Sequence, residues 1–154
     1  MSILNSLSLA IDLATRNRDQ AVVQLQHMQR THHASQDQMA QLEGYASETE
    51  SKWITAAQVG SSPELMGNHY QFMDRLHHAM GLQTTVVASH DPRISAAQQA
   101  LLATELRLSS LKKLTEKRRK EFELLQTRRE QKQTDERAAL QYRTLSNGPD
   151  GRES

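Results

Sequence analysis

The sequence predicts an all-α protein that folds as a long antiparallel two-helix coiled-coil hairpin. Three observations support this fold class: glycine and proline are scarce, at 6 and 3 of the 154 residues; apolar residues recur at alternating steps of three and four; and only 4% of the residues are aromatic. An apolar content of 36% is too low for the thick core of a globular domain of this length. We therefore expect one elongated coiled-coil domain over residues 1–145.

The first helix is predicted over residues 3–57, a stretch without proline. Its apolar residues follow a heptad period, which is the pattern of a helix that packs along a partner helix through one seam. Polar residues such as His32 and Ser35 fall on the same seam, and polar seam residues help to fix the register of a coiled coil. The predicted seam contains Leu4, Leu7, Ile11, Ala14, Ala21, Leu25, Met28, Met39, Leu42, Ala46, Trp53 and Ala56.

A turn is predicted over residues 58–63. Gly60 suits the left-handed position that ends many helices. Ser61 and Glu64 have the spacing of a capping box, and Pro63 falls in the first turn of the next helix, where its missing N–H costs nothing. Because the connection is short, the second helix must return antiparallel to the first.

The second helix is predicted over residues 64–145, so that it extends some 25 residues beyond the first. Asp91-Pro92 interrupts it, and this pair predicts either a kink within one arm or two helices end to end. Residues 146–154 are predicted to be a disordered tail. The predicted seam contains Met66, His69, Met73, Leu76, Met80, Val87, Ile94, Ala97, Leu101, Leu108, Leu111, Phe122, Leu125 and Ala139.

Several classes of chemistry have no support in the sequence. There is no cysteine, no Gly-x-Ser-x-Gly motif and no glycine-rich phosphate loop. The seven histidines include no pair at the i, i+3 or i, i+4 spacing that places two ligands on one helix face. We therefore expect no enzyme, no metal and no cofactor. No run of 18 to 20 apolar residues is present, so we expect a cytoplasmic protein without direct membrane insertion.

A basic stripe is the strongest charge feature. Residues 107–143 hold 12 basic and 6 acidic side chains. Interleaved glutamates favour a solvated helix face with intrahelical ion pairs, whereas the excess of positive charge favours an acidic surface, either a protein lumen or nucleic acid. No aromatic residues interleave for base stacking, which disfavours nucleic acid. The stripe consists of Lys112, Lys113, Lys117, Arg118, Arg119, Lys120, Arg128 and Arg129.

Four of the six aromatic residues lie near the predicted turn, namely Tyr45, Trp53, Tyr70 and Phe72. Trp53 falls on the seam, but Tyr45 and Phe72 lie beside it. Aromatic side chains that a thin coiled coil leaves uncovered are typical of protein interfaces. This end of the hairpin is therefore a candidate docking patch.

Several motifs together resemble the FliJ family, a coiled-coil component of the bacterial flagellar type III export apparatus. The similarity extends over nearly the whole chain and follows the order of the motifs in the two predicted helices. The motifs are Leu13-Ala14, Asp19-x-Ala21 and Leu25-x-x-Met28, then Tyr70-Gln71-Phe72 with Leu76-x-x-Ala79, and finally Gln131-Lys132-x-x-Asp135-Glu136.

The resemblance implies a non-catalytic protein whose coiled coil is similar to the gamma-subunit stalk of rotary ATP synthases. Its termini would enter the hexameric export ATPase FliI and promote ring assembly and activity. It would also bind the cytoplasmic domain of the export gate FlhA, escort export chaperones, and associate with the inner-membrane apparatus at the flagellar base. Three alternatives stay open: the stalk of a virulence secretion system, a nucleic-acid-binding protein, and a generic scaffold.

The resemblance also implies a set of gate-binding residues. Two further positions of that surface are Thr49 and Gln83 here, where the family has an aromatic residue and a histidine, and this departure weakens that edge of the patch. The implied gate-binding residues are Gln38, Leu42, Tyr45, Phe72, Leu76 and Ala79.

Overall fold

The computed structural model describes residues 2–147, which form two α-helices, α1 (Ser2–Val59) and α2 (Pro63–Ser146). No strand occurs in this range. The two helices pack against each other as a hairpin, which confirms the predicted all-α fold class. Residues 148–154 of the predicted tail lie outside the described residues, while Ser146 still belongs to α2.

The turn between the helices uses Gly60 and Ser62. Gly60 has a φ of 112°, and its N–H donates to the carbonyl of Ala57 at 3.3 Å, which closes α1. The N–H of Leu65 donates to Ser62 Oγ at 3.2 Å, so Ser62 is the N-cap of α2. The capping residue is thus one position later than the expected Ser61, and Pro63 is the first helical residue.

The second helix continues through Asp91 and Pro92 without a break, so the arrangement of two helices end to end is wrong. Pro92 removes the N–H that would bond the carbonyl of Ala88, and a proline inside a helix is a common cause of bending. Both residues are exposed, so water is available to the unbonded carbonyl. This placement on the solvent side explains why the helix tolerates the proline.

The chain divides into two compact units, each with a part of both helices. The turn unit is Thr15–Leu106, and the terminal unit comprises Met1–Ala14 and Arg107–Ser154. In the turn unit a core cluster forms where the two helices meet. Ala46, Met73 and Leu76 are buried there, with Leu42 and Met80 packed against them.

The heptad seam is regular in both helices. Covered residues follow one another at steps of three and four from Leu4 to Trp53 in α1, and from His69 to Thr115 in α2. This strict seven-residue period is the signature of a left-handed coiled coil. The seam of α2 includes four polar residues that the sequence analysis did not place on it, namely Gln83, His90, Thr104 and Thr115.

Four residues assigned to the seam are exposed instead. Ala56 and Met66 lie in the helical turns next to the connection, where few residues are available to cover them. Leu125 and Ala139 lie in a part of α2 for which α1 has no remaining residues. The heptad period identifies which side of a helix is suited to packing, but it does not reveal whether a partner lies opposite.

In the terminal unit the seam is short. Ala14 and Leu108 are buried, and Phe122 is the last residue of α2 with partial cover. Every residue from Glu123 to Asn147 is exposed. We call residues 123–146 the C-terminal overhang, because no described residue of α1 covers them.

Candidate protein-docking surfaces

The flank of the seam in the turn unit carries an exposed aromatic pair. With Ala46 and Met73 at heptad position a, Tyr45 and Phe72 both occupy position g, immediately before a. Their rings meet edge to face, with centroids 5.9 Å apart and an interplanar angle of 80°. Tyr45 is 54% exposed and Phe72 is 39% exposed. Such a pair stabilises a fold by about 0.5–1.5 kcal/mol beyond the contribution of the apolar area that it buries. The contact therefore fixes the two rings while both remain accessible to a partner.

The structure places four of the six predicted gate-binding residues on this flank. Tyr45 and Phe72 are exposed there, as is Gln38, and Ala79 is half-buried. Leu42 is half-buried on the seam beneath them. Leu76 is only 8% exposed and belongs to the core cluster, because position d points it at α1. Leu76 therefore supports the flank from below and offers little surface to a partner.

Thr49 and Gln83, the two positions that depart from the family pattern, lie on the seam. Thr49 is half-buried. The Gln83 amide nitrogen donates to the carbonyl of Ser35 at 2.9 Å and to Gln38 Oε1 at 3.2 Å. These bonds connect the two helices and orient Gln38 at the edge of the flank. A structural role thus accounts for Gln83.

The remaining aromatic residues near the turn have separate surroundings. The Trp53 indole stacks on the His69 imidazole, with centroids 4.3 Å apart and an interplanar angle of 8°. Tyr70 meets His69 edge to face at 5.9 Å, and it is exposed on the other side of α2 from Phe72. Of the four aromatic residues near the turn, only Tyr45 and Phe72 thus share one exposed flank, while Trp53 packs on His69 at the end of the seam.

A buried polar layer crosses the seam in the middle of the turn unit. Ser35 Oγ lies 3.0 Å from His90 Nε2, and the His32 and His90 rings lie 5.7 Å apart. His32 Nε2 is 3.9 Å from Asp91 Oδ1. The sequence analysis placed His32 and Ser35 on the seam but missed His90, which the period from Val87 would have found.

The serine and histidine of this layer have the spacing of a nucleophile and its base. However, the Ser35 hydroxyl donates to the carbonyl of Thr31 at 3.0 Å, and Ser35 and His90 are both buried between the helices. Among residues 2–147 no group of three or more potential ligands is arranged to hold a metal ion. The layer is therefore a structural element of the seam.

All eight residues of the basic stripe are exposed. Two of them are engaged within α2: Arg118 with Glu121 at 3.6 Å, and Arg119 with Glu116 at 3.9 Å. The other six form no ion pair with any described residue. Lys113, Lys117 and Lys120 share the face that points away from the seam, whereas Arg129 occupies a seam position in the overhang.

The C-terminal overhang keeps the heptad period but changes its chemistry. After Phe122, four of the next six seam positions are charged, so an apolar partner helix would have to bury several unpaired charges. The overhang is therefore better suited to a polar surface of opposite charge than to extension of the coiled coil. The seam positions are Leu125, Arg129, Lys132, Glu136, Ala139 and Arg143.

Neither described helix contains a segment apolar enough to cross a lipid bilayer. In a comparison with protein families, the family model for the flagellar FliJ protein aligns with residues 4–146. Comparison with curated proteins and with solved structures gives no match. The matched range includes both units, the exposed aromatic pair and the C-terminal overhang.

Proposed function

The chain belongs to the FliJ family of flagellar proteins, and from this premise we propose that it is a non-catalytic stalk of the flagellar type III export apparatus. It promotes assembly and activity of the ring of the export ATPase FliI. It also binds the cytoplasmic domain of the export gate FlhA and escorts export chaperones. It acts in the cytoplasm, at the inner-membrane apparatus of the flagellar base, and needs no cofactor.

The C-terminal overhang is the observation that carries the ATPase contact. Its residues are exposed, and its seam positions include Arg129, Lys132 and Arg143. The overhang as a whole holds five basic and four acidic side chains, whereas residues 112–120 hold six basic and one acidic, so most of the excess of positive charge precedes the overhang. A single exposed helix joined to this stripe fits a narrow lumen lined by acidic groups, because complementary charge steers the encounter and fixes the register. The stripe from Lys112 to Lys120 continues this charge toward the hairpin.

The exposed aromatic pair supports the gate contact. Tyr45 and Phe72 supply most of the accessible apolar area of the six residues, with Gln38 and Ala79 at the edges. Leu42 and Leu76 act from beneath, by holding the two helices at the spacing that brings the rings together. Aromatic residues in such settings often dominate the free energy of binding.

The ATP hydrolysis rate of the cognate export ATPase tests the proposal. We expect the full chain to stimulate hydrolysis under ring-forming conditions, and a variant that ends at Phe122 to lose the stimulation. We expect Arg128→Gln with Arg129→Gln to reduce it. The matched control, Arg16→Gln with Arg30→Gln, removes two exposed arginines of α1 and should stimulate like the unmodified chain. Absence of stimulation by the full chain would contradict the stalk function.

Nucleic-acid binding is the second candidate function, because Lys113, Lys117 and Lys120 form an unpaired basic face. Contacts to phosphate make binding depend steeply on salt. Three such contacts would weaken duplex binding by roughly fortyfold between 50 and 200 mM salt. Duplex binding that is weak at 50 mM salt would exclude this function, and binding that survives Lys117→Gln with Lys120→Gln would exclude this face as its site.

A further inference from the structure

A second apolar line runs along α2 on the side of the exposed aromatic pair. Four successive g positions are apolar: Leu65, Phe72, Ala79 and Val86. Leu82, at the adjacent position c, is 58% exposed and widens the line. Leu65 and Val86 are also exposed at its two ends. The line thus begins in the first turn of α2 and stops before Arg93, the next g position.

The opposite flank of α2 differs in character. Its e positions, on the other side of the seam, are Tyr70, His77, Thr84 and Asp91, each of which carries a polar atom. A heptad coiled coil of two helices needs only positions a and d to be apolar. Within the hairpin Phe72 meets Tyr45 and Ala79 is half-buried, but Leu65, Leu82 and Val86 are exposed although the hairpin does not need them to be apolar. A heptad-spaced apolar line of this kind fits a further helix that packs along it.

The charged residues beside the line indicate which charge a partner helix would carry. Arg75, at position c, lies near its midpoint, is exposed, and has no ion-pair partner in the described part of the chain. Arg93 ends the line, and no g or c position of α2 between Leu65 and Arg93 is acidic. An occupant with a carboxylate near its middle would pair with Arg75.

The same arginine disfavours a second copy of this chain. A twofold pairing of two copies along the line would place its midpoint on the symmetry axis. The guanidinium groups of both Arg75 residues would then lie together at the centre of an apolar contact. Like charges so placed are costly, which leaves a different protein as the occupant.

We infer that this face of α2 binds an amphipathic α-helix of a protein partner, one with a heptad-spaced apolar line and an acidic residue opposite Arg75. The inference rests on the proposed gate contact in that it shares Phe72 and Ala79 with that surface. It adds Leu65, Leu82 and Val86, and it specifies the secondary structure and charge of the partner.

Two synthetic peptides and the full chain test this inference. Each peptide is an amphipathic helix of about 22 residues, which matches the roughly 30 Å from Leu65 to Val86 at 1.5 Å per residue. One carries Glu at its centre and the other carries Lys. We expect the chain to bind the Glu peptide about fivefold more tightly than the Lys peptide by fluorescence anisotropy. Arg75→Glu should reverse this order.

The apolar part of the face has a matched pair of variants. Leu82→Ser lies on the face and should weaken binding of the Glu peptide about fivefold. Leu102→Ser is its control, because Leu102 is 56% exposed on α2 at position b, away from the face, and the change should leave binding unaltered. Circular dichroism verifies that all variants keep their helicity, since each altered side chain is exposed.

Three results would overturn the inference: no binding of either peptide, the same preference before and after Arg75→Glu, or a dimer of the chain that Leu82→Ser dissociates. The cytoplasmic domain of the export gate, titrated in parallel, separates the inference from the proposed function. If the peptides behave as expected and the gate domain does not bind, the gate contact fails and the inference stands. If the gate domain binds and the peptides do not, the inference fails and the gate contact stands.

Discussion

At the scale of single residues, the buried polar layer of His32, Ser35 and His90 shows that the seam combines a cost in stability with a gain in pairing specificity. The Ser35 hydroxyl is a donor to Thr31, so His90 Nε2 must be the donor to Ser35 Oγ. The Nδ1 atom of His90 is buried, and it has no hydrogen-bond partner among the described residues. Such a group lowers stability, but a polar seam residue restricts the pairings that two helices can adopt.

Replacing His90 with leucine should therefore raise stability and reduce specificity. We expect His90→Leu to increase the free energy of unfolding by about 1–2 kcal/mol, since an apolar side chain fills a seam position that is 6% exposed. We also expect higher oligomers in light scattering after size exclusion. His78→Leu changes an exposed residue of the same helix and serves as the control. A lower melting temperature for His90→Leu would contradict this account of the layer.

At the scale of elements, the effect of a glycine on stability depends on whether it lies at the end of a helix or inside it. Gly60 has a positive φ at the end of α1, a conformation that a side chain makes unfavourable. Gly81 lies inside α2, and a Cβ added there would meet nothing within 4 Å. The same substitution at these two positions should thus have opposite effects.

We expect Gly60→Ala to lower the free energy of unfolding by about 1 kcal/mol, because the left-handed residue that ends α1 becomes strained. We expect Gly81→Ala to raise it by about 0.5–1 kcal/mol, because alanine restricts the unfolded chain and favours the helix. Chemical denaturation followed by circular dichroism measures both. Equal effects of the same sign would show that the conformation of Gly60 does not limit the stability of the turn.

The sequence predicts these elements well where apolar residues follow the heptad period without interruption. It predicts them less well where polar residues occupy seam positions. The seam from Leu4 to Trp53 followed from spacing alone. Gln83 and His90 were missed because the seam of the second helix was followed mainly through its apolar residues, although polar residues such as His32 and Ser35 were placed on the seam of the first. Leu76 was predicted both as a seam residue from the period and as a docking residue through the family resemblance, and its burial in the core cluster agrees with the seam position.

At the scale of the whole molecule, folding and partner binding depend on different parts of the chain. Contacts between the helices end near Phe122, and the residues from Glu123 to Asn147 are exposed. Tyr45 and Phe72, which we propose as docking residues, lie beside the seam and bury less of their surface than Leu76 beneath them. This separation explains why composition and period identify the fold, whereas the partners had to be argued from family membership and from unpaired groups.

A chain that ends at Phe122 should consequently fold as stably as the full chain. We expect its melting temperature to change by less than about 3 °C, because the removed residues bury no apolar area against α1. Differential scanning calorimetry at matched concentration measures this. A large decrease would mean that the overhang stabilises the hairpin. A loss of ATPase stimulation by the truncated chain could then reflect unfolding, and only the variant Arg128→Gln with Arg129→Gln would test the ATPase contact.

The strict seven-residue period of the two helices also limits how this chain could change its length. Deleting one residue from a helix turns everything beyond it by about 100°, since each residue advances the helix by 1/3.6 of a turn. The seam of that helix would then face water from that point on. Viable insertions and deletions should therefore come as whole heptads, one in each helix at facing sites, so that relatives of different length would differ by about fourteen residues or its multiples.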